Sequence, residues 1–159
     1  MSRQSHQWAV DHVAHIVFNL CDYCHDDYLA DHVVAQLMEH IIHMLSTEHG
    51  CPVYAYCVMP NHVHVVFKFT KSPTTILHFL KGSSANRINK LLGRTGQLWQ
   101  HSTHDEIIHD REQFLNACFY VWLNPVKAGL VNAPEEYGYS DYKMRHQNVN
   151  DIAEGLFEA

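Results

Sequence analysis

Two histidines, His62 and His64, lie one residue apart in a segment where apolar and other side chains alternate. In a β-strand both would project from the same face, about 7 Å apart at the backbone. Two imidazoles at that spacing can share one metal ion. The chain has 15 histidines, however, so the pair can also arise by chance, each ring being half-exposed and hydrogen-bonded. The pair alone leaves both interpretations open.

A tyrosine and an amide share one face of a predicted helix near the C-terminal end. Tyr120 and Asn124 are four residues apart, which is helical spacing. A phenol has a pKa of about 10, so it becomes a useful nucleophile only beside a cation or an oriented phosphate. By themselves, these residues favour a packing role for Tyr120, and Asn124 could simply end the helix before Pro125.

The middle of the chain is basic although the whole is acidic. The net charge of −6 argues against a nucleic-acid binder. Between Glu48 and Asp105, however, there is no acidic residue, which is typical of a surface where a phosphate backbone docks. The alternative is a solvated helix face. The cations of this span are Lys68, Lys71, Lys81, Arg87, Lys90 and Arg94.

Composition indicates an ordinary globular protein. The 159 residues, 47% hydrophobic and 18% charged, predict a single domain, with a core over about 10–131 and an acidic, aromatic tail over 132–159. No secretory signal or membrane span is recognisable, and five scattered cysteines favour reduced thiols, so we expect a cytoplasmic location. The CxxCH pattern of Cys21–His25 lies in an acidic loop without a second ligand pair, which favours a loop over a haem or zinc site.

The hydrophobic pattern predicts which elements position the candidate residues. The order indicates an α+β fold, a ferredoxin-like antiparallel sheet with helices packed on one face. The histidine pair would lie on the other face, and the helix carrying Tyr120 would come at the C-terminal end and stop near Asn124, because Pro125 disfavours helix before it. The predicted elements are a strand at 10–20, a helix at 31–48, strands at 53–58 and 62–69, a helix at 74–92, short strands at 97–100 and 104–109, and a helix from Asp110.

Taken in order, these motifs resemble a known family. The similarity is to the single-tyrosine HUH transposases of the IS200-like type, in particular to the REP-associated tyrosine transposases. It covers roughly residues 10–142, and Tyr139-Ser140-Asp141-Tyr142 also resembles that branch, where a second Ser is more usual than Asp141. The motifs are Met59-Pro60-Asn61-His62-Val63-His64, Leu98-Trp99-Gln100, Asp110, and Tyr120-x-x-x-Asn124-Pro125-Val126-Lys127-Ala128-Gly129-Leu130.

The resemblance implies a metal-dependent enzyme of DNA transposition and recombination that nicks and rejoins single-stranded DNA at a hairpin-containing sequence. His62 and His64 would bind a divalent metal, Mg or Mn, with Asn124 as candidate third ligand. Tyr120 would attack a phosphodiester, form a bond to the 5′ phosphate and release a 3′ hydroxyl. The alternatives are a non-catalytic single-stranded nucleic-acid-binding module of the same fold, and a phosphodiester hydrolase using a metal-bound water. The family allows either a homodimer or a monomer.

Candidate DNA contacts come from the basic span and from the family motifs. Trp99 could stack on a base or pack in the core, and His101 and His104 are further candidates for stacking or backbone contact. Lys127 could contact phosphate or merely lie near a helix C-terminus. The net negative charge and acidic tail depart from the family pattern and indicate a domesticated protein or a narrow range of targets. The candidate DNA-binding residues are Lys68, Lys81, Arg87, Lys90, Arg94, Trp99 and Lys127.

Overall fold

The fold is a five-stranded antiparallel sheet flanked by helices. The computed structural model describes residues 10–142 and 149–157. The first nine residues, where no secretory signal is predicted, and residues 143–148 and 158–159 of the predicted tail lie outside that part. The strands are β1 (Val13–Asn19), β2 (Val53–Val58), β3 (His62–Lys68), β4 (His104–Ile108) and β5 (Ser140–Tyr142), and the helices are α1 (His32–Thr47), α2 (Pro73–Leu92), α3 (Arg111–Lys127) and α4 (Val149–Phe157).

The chain order and the spatial order of the strands together define the fold. The first six elements run β1-α1-β2-β3-α2-β4, and the sheet order is β4-β1-β3-β2-β5. The predicted ferredoxin-like α+β fold is therefore confirmed, and the tail adds β5 beside β2. Segment 97–100, where a short strand is predicted, makes a single bridge, between Leu20 and Trp99.

Two apolar cores lie on opposite sides of the sheet because side chains alternate along each strand. Val63, Val65 and Phe67 of β3 pack with α1 and α2 in the larger core. Val66, in the other register, packs with α3 and α4 in the smaller one. The helices predicted on one face are thus α1 and α2, whereas α3 covers part of the face that carries the histidine pair.

Helix α1 starts and ends where local signals predict. The Asp31 side chain accepts hydrogen bonds from the backbone N–H groups of Val33 and Val34, at 2.9 and 3.1 Å. Such a cap stabilises a helix by about 1 kcal/mol. After the helix, Gly50 has a φ of 66°, a conformation that costs glycine no steric clash. The Asp31 cap and the turn at Gly50 bound the helix, which packs against the sheet in the larger core.

Helix α3 is longer than the sequence predicts. Its N-cap is Asp110, as expected, but the helix passes through Pro125 and ends at Lys127, so the predicted stop near Asn124 is wrong. Proline removes the hydrogen bond that residue 125 would donate and crowds the carbonyl one turn earlier, and burial of its ring offsets part of that cost. Beyond it, Ala128 N–H still bonds the Asn124 carbonyl at 2.9 Å. The extra turn keeps Lys127 on the face of Tyr120.

Among the described residues, no helix is both long and apolar enough to cross a membrane. The cytoplasmic location expected from the sequence stays a prediction.

Candidate active site

The centre of the site is His64, which lies between the sheet and α3. It is only 4% exposed, because Asn124 of α3 covers it from above. The Nε2 atom of His64 is 2.8 Å from the Asn124 side-chain amide, and its Nδ1 atom is 2.9 Å from Nε2 of His15 on β1. Both ring nitrogens therefore have protein partners, which hold the imidazole in one orientation.

His62 lies beside His64 on the same strand face, as the alternation predicts. The two ring centroids are 5.0 Å apart, with the rings edge to face. Nδ1 of His62 lies 2.7 Å from Oδ1 of Asn61, so Nδ1–H donates to that oxygen and Nε2 keeps its lone pair. A hydrogen bond of this kind commonly orients a metal-binding histidine.

Burial keeps the three imidazoles in the neutral form. It lowers the pKa of His64 to about 3, with further lowering from neighbouring His15 and His62. It also lowers the pKa of His15 to about 4 and moves that of His62 in the same direction. Neutral imidazole is the form that binds a cation, so these rings need no deprotonation near pH 7.

Tyr120 stands on α3 at the edge of the histidine cluster. Its ring centroid is 5.9 Å from that of His64, and 45% of the residue is exposed. Lys127, two turns further along the helix, holds its ammonium 4.4 Å from the centre of the tyrosine ring. A groove of about 270 Å³ opens beside the tyrosine and is lined by His15, Val17, His64, His104, Asp105, Glu106 and Tyr120.

The donor atoms fit a divalent metal that prefers oxygen and accepts imidazole. Two adjacent ligands of an octahedral ion at about 2.1 Å lie roughly 3 Å apart, close to the 2.8 Å between His64 Nε2 and the Asn124 amide. A half-turn of the amide group brings its oxygen to that position. Among the described residues, no three His, Cys, Asp or Glu side chains cluster as a metal site. Waters or a phosphate would complete the shell, as suits Mg²⁺ or Mn²⁺.

Three of the six predicted DNA-binding cations lie on α2, on the opposite side of the sheet from Tyr120, and Arg94 follows just after the helix. Arg87 and Lys90 are exposed there. Lys81 and Arg94 are held by the protein itself. The ammonium of Lys81 donates to the carbonyl of Gln100 at 2.7 Å, and burial lowers its pKa. The guanidinium of Arg94 donates to the Asn89 side chain at 2.6 Å.

The other candidates divide between the site and the rest of the chain. Lys127 is at the site, whereas Lys68 lies at the far end of β3, about 20 Å along the strand from His62, and its ammonium is 3.9 Å from Asp11. His104 lines the groove beside Tyr120, and His101 is exposed in the loop before β4. The structure therefore brings together Tyr120, His62, His64, Asn124, Lys127 and His104.

Trp99 is a core residue in the structure. It is 4% exposed, packs edge to face on Phe18 with centroids 4.7 Å apart, and donates its indole N–H to Ser84 Oγ at 2.8 Å. We expect Trp99→Ala to lower the free energy of unfolding by about 3–5 kcal/mol, the cost of deleting a buried aromatic side chain. Urea unfolding would measure this. A loss of DNA affinity at unchanged stability would instead indicate base stacking.

Sequence reasoning predicted the first strand but did not single out His15. The signal was present, since His15 shares a strand face with Val13 and Val17 and that face turned out to carry the site. What was missing was the register with β3, which brings His15 diagonally next to His64.

The CxxCH segment forms part of a loop, as expected. The sulfurs of Cys21 and Cys24 are 3.0 Å apart, and both lie near the backbone carbonyl of Gln97. All five cysteines are free thiols. Cys21 is buried against the loop before β4.

One protein family matches a segment that contains most of the sheet. The family described as transposase IS200 like matches residues 9–115. That range contains β1 to β4 and both histidines of the pair, and it ends before Tyr120.

Two curated proteins and one solved structure are also similar. The chain is 23% identical over 107 residues to a Haemophilus influenzae protein named as a REP-associated tyrosine transposase, covering 60% of this chain and 59% of that protein. It is 21% identical over 125 residues to the REP-associated tyrosine transposase of Escherichia coli K12, covering 77% of this chain and 69% of that protein. The chain thus spans about 59% of the length of the first relative.

The solved structure is a REP-associated tyrosine transposase bound to a REP hairpin. It superposes with a TM-score of 0.73 at 19% identity, covering 99% of this chain and 88% of that one, and so has the same fold. Because the family match extends over more than half of the sequence and the fold agrees, this protein belongs to the IS200-like transposase family.

Proposed function

We propose that this protein nicks and rejoins single-stranded DNA through a covalent link to Tyr120, with a divalent metal at His62, His64 and Asn124. The observation that carries this is the convergence of α3 on β3. The ring centroid of the exposed Tyr120 lies 5.9 Å from that of the buried, neutral His64. Nε2 of His64 in turn contacts the side-chain amide of Asn124, one helical turn after Tyr120. A binding module has no need of such an arrangement.

In the proposed step the oxygen of Tyr120 forms a bond to phosphorus, and the bond from phosphorus to the 3′ oxygen breaks. The phenol loses its proton and the departing 3′ oxygen gains one. Exposure of Tyr120 allows a strand to reach the hydroxyl, and the ammonium of Lys127 favours both the phosphate and a developing phenolate. Attack by a 3′ hydroxyl on the phosphotyrosine reverses the step and rejoins the strand.

The histidines and Asn124 would hold the metal, which when bound polarises the scissile phosphate and stabilises the charge that develops on it. His64 is fixed by bonds at both ring nitrogens, and His62 is oriented by Asn61. This prior orientation avoids reorganisation during the reaction.

We propose a hairpin-containing single strand as the DNA substrate. The similar structure was solved with a REP hairpin, and in this chain exposed cations on α2 offer a second surface, away from Tyr120, for the duplex part. The single-stranded part would enter the groove lined by His15, His104 and Tyr120.

The direct test incubates the protein with labelled single-stranded hairpin DNA, with Mg²⁺ or Mn²⁺ or with chelator, and separates the products on a denaturing gel. We expect a protein–DNA adduct that forms only with metal. Cleavage that needs metal but leaves no adduct would favour a hydrolase. Binding without cleavage across a range of hairpins would favour the non-catalytic module.

Lys127 provides a test of the local electrostatics. We expect Lys127→Met to slow adduct formation about 10- to 100-fold at saturating DNA, because it removes an ammonium that lies 4.4 Å from the centre of the Tyr120 ring. Single-turnover rates would be measured beside the matched variant Lys71→Met, which removes an exposed cation in the loop before α2 and should leave the rate unchanged. Equal slowing in both variants would contradict a local role for Lys127.

A further inference from the structure

We propose that His15 is a positioning residue for His64. Its Nε2 atom accepts a hydrogen bond from Nδ1–H of His64, and this keeps the lone pair of His64 on Nε2, facing Asn124. This inference rests on the proposed function, because it assigns the second partner of a candidate metal ligand. It concerns a residue outside the HxH motif, on a different strand.

The sheet register makes the contact possible. His64 is paired with Val17 on β1, and His15 is paired with Val66 on β3, so the two histidines are diagonal neighbours on one face. Their rings stack at 29° with centroids 5.2 Å apart, and Nε2 of His15 lies 2.9 Å from Nδ1 of His64. This distance is within the normal range for a hydrogen bond between nitrogens.

Proton counting gives the contact a chemical consequence. Two ring nitrogens at 2.9 Å share one proton, since two N–H groups would repel and two lone pairs would not bond. If His15 is the acceptor, His64 carries its proton on Nδ1 and its Nε2 is a lone-pair donor. If His15 is the donor, the proton of a neutral His64 is on Nε2, and that nitrogen cannot bind a metal.

A side chain of similar bulk at position 15 would keep water from taking over this role. His64 is 4% exposed, and the Asn124 amide occupies its other nitrogen. An apolar residue at position 15 would therefore leave Nδ1–H buried without an acceptor, at a cost that favours moving the proton to Nε2. Loss of such an orienting partner typically weakens metal binding 10- to 100-fold.

A pair of matched variants separates this role from simple packing. His15→Gln retains an acceptor oxygen near the position of Nε2, whereas His15→Met keeps similar bulk without a comparable acceptor. His78→Met, which removes an exposed histidine from α2, controls for non-specific binding by a histidine-rich chain. The His64 tautomer is read from long-range ¹H–¹⁵N spectra of the metal-free protein, and Mn²⁺ affinity from electron paramagnetic resonance of the free ion.

We expect wild type, His15→Gln and His78→Met to keep the proton of His64 on Nδ1 and to bind Mn²⁺ alike. In His15→Met the proton should move to Nε2 and the Mn²⁺ dissociation constant should rise about 10- to 100-fold. An unchanged tautomer in His15→Met would overturn the inference and leave the proposed function standing. Failure of the wild type itself to bind Mn²⁺ would count against the proposed function, while the tautomer result would still decide the role of His15.

Discussion

Tyr120→Phe should abolish the covalent protein–DNA adduct. The substitution removes only the hydroxyl oxygen, and no other group on this face of α3 can take its place as nucleophile in the proposed reaction. Loss of an enzyme's nucleophile commonly costs several orders of magnitude in rate. Because the side chain is 45% exposed, the free energy of unfolding should change by no more than about 0.5 kcal/mol. The gel assay and urea unfolding would measure both quantities.

The matched control is Tyr23→Phe, which removes a hydroxyl from a tyrosine that is 81% exposed in the loop after β1. This variant should form the adduct at the wild-type rate. The Tyr120→Phe protein should still bind Mn²⁺ and hairpin DNA, because the histidines and the cations are untouched. An adduct that persists in Tyr120→Phe would show that another residue attacks the phosphate.

His64→Ala should also slow adduct formation strongly, because it removes a proposed metal ligand rather than the nucleophile. The substitution removes the ring that joins β3, β1 and α3, and with it one proposed metal ligand. Adduct formation should fall on the order of a thousandfold, equivalent to about 4 kcal/mol of transition-state stabilisation. Stability should also fall by about 1–3 kcal/mol, since Asn124 loses a buried hydrogen-bond partner.

Metal titration distinguishes the catalytic loss from the structural one. His64→Ala should require far more Mn²⁺ for any residual activity, whereas a purely destabilised protein would regain the wild-type rate at lower temperature. His78→Ala, an exposed histidine on α2, should leave both activity and metal affinity unchanged. A wild-type metal dependence in His64→Ala would rule out His64 as a ligand.

The sequence predicted the sheet and the position of its histidine pair because both follow from local periodicity. Val63, Val65 and Phe67 alternate with His62 and His64, and that alternation alone assigns opposite faces. The end of α3 was wrong for an equally local reason. A proline rule describes an isolated helix, whereas tertiary packing of the buried Pro125 allows one more turn.

Features that depend on strand register or on the side of the sheet could not be read from the sequence. His15 and His64 are 49 residues apart, and only the antiparallel pairing of β1 with β3 makes them neighbours. The basic side of α2 looked like part of one DNA surface, but the crossover connections put this helix across the sheet from Tyr120. A charge run therefore marks a candidate nucleic-acid surface without indicating which side of the sheet carries it.

Mapping the covalent link is the most direct test of the central claim. The protein would be reacted with hairpin DNA and metal, treated with nuclease and trypsin, and analysed by mass spectrometry. The tryptic peptide 112–127 contains one tyrosine, Tyr120, and no serine, threonine or histidine. We predict that this peptide gains the mass of a 5′-linked nucleotide, with fragment ions that locate it on Tyr120. A nucleotide on any other peptide, or cleaved DNA without a modified peptide, would contradict the account.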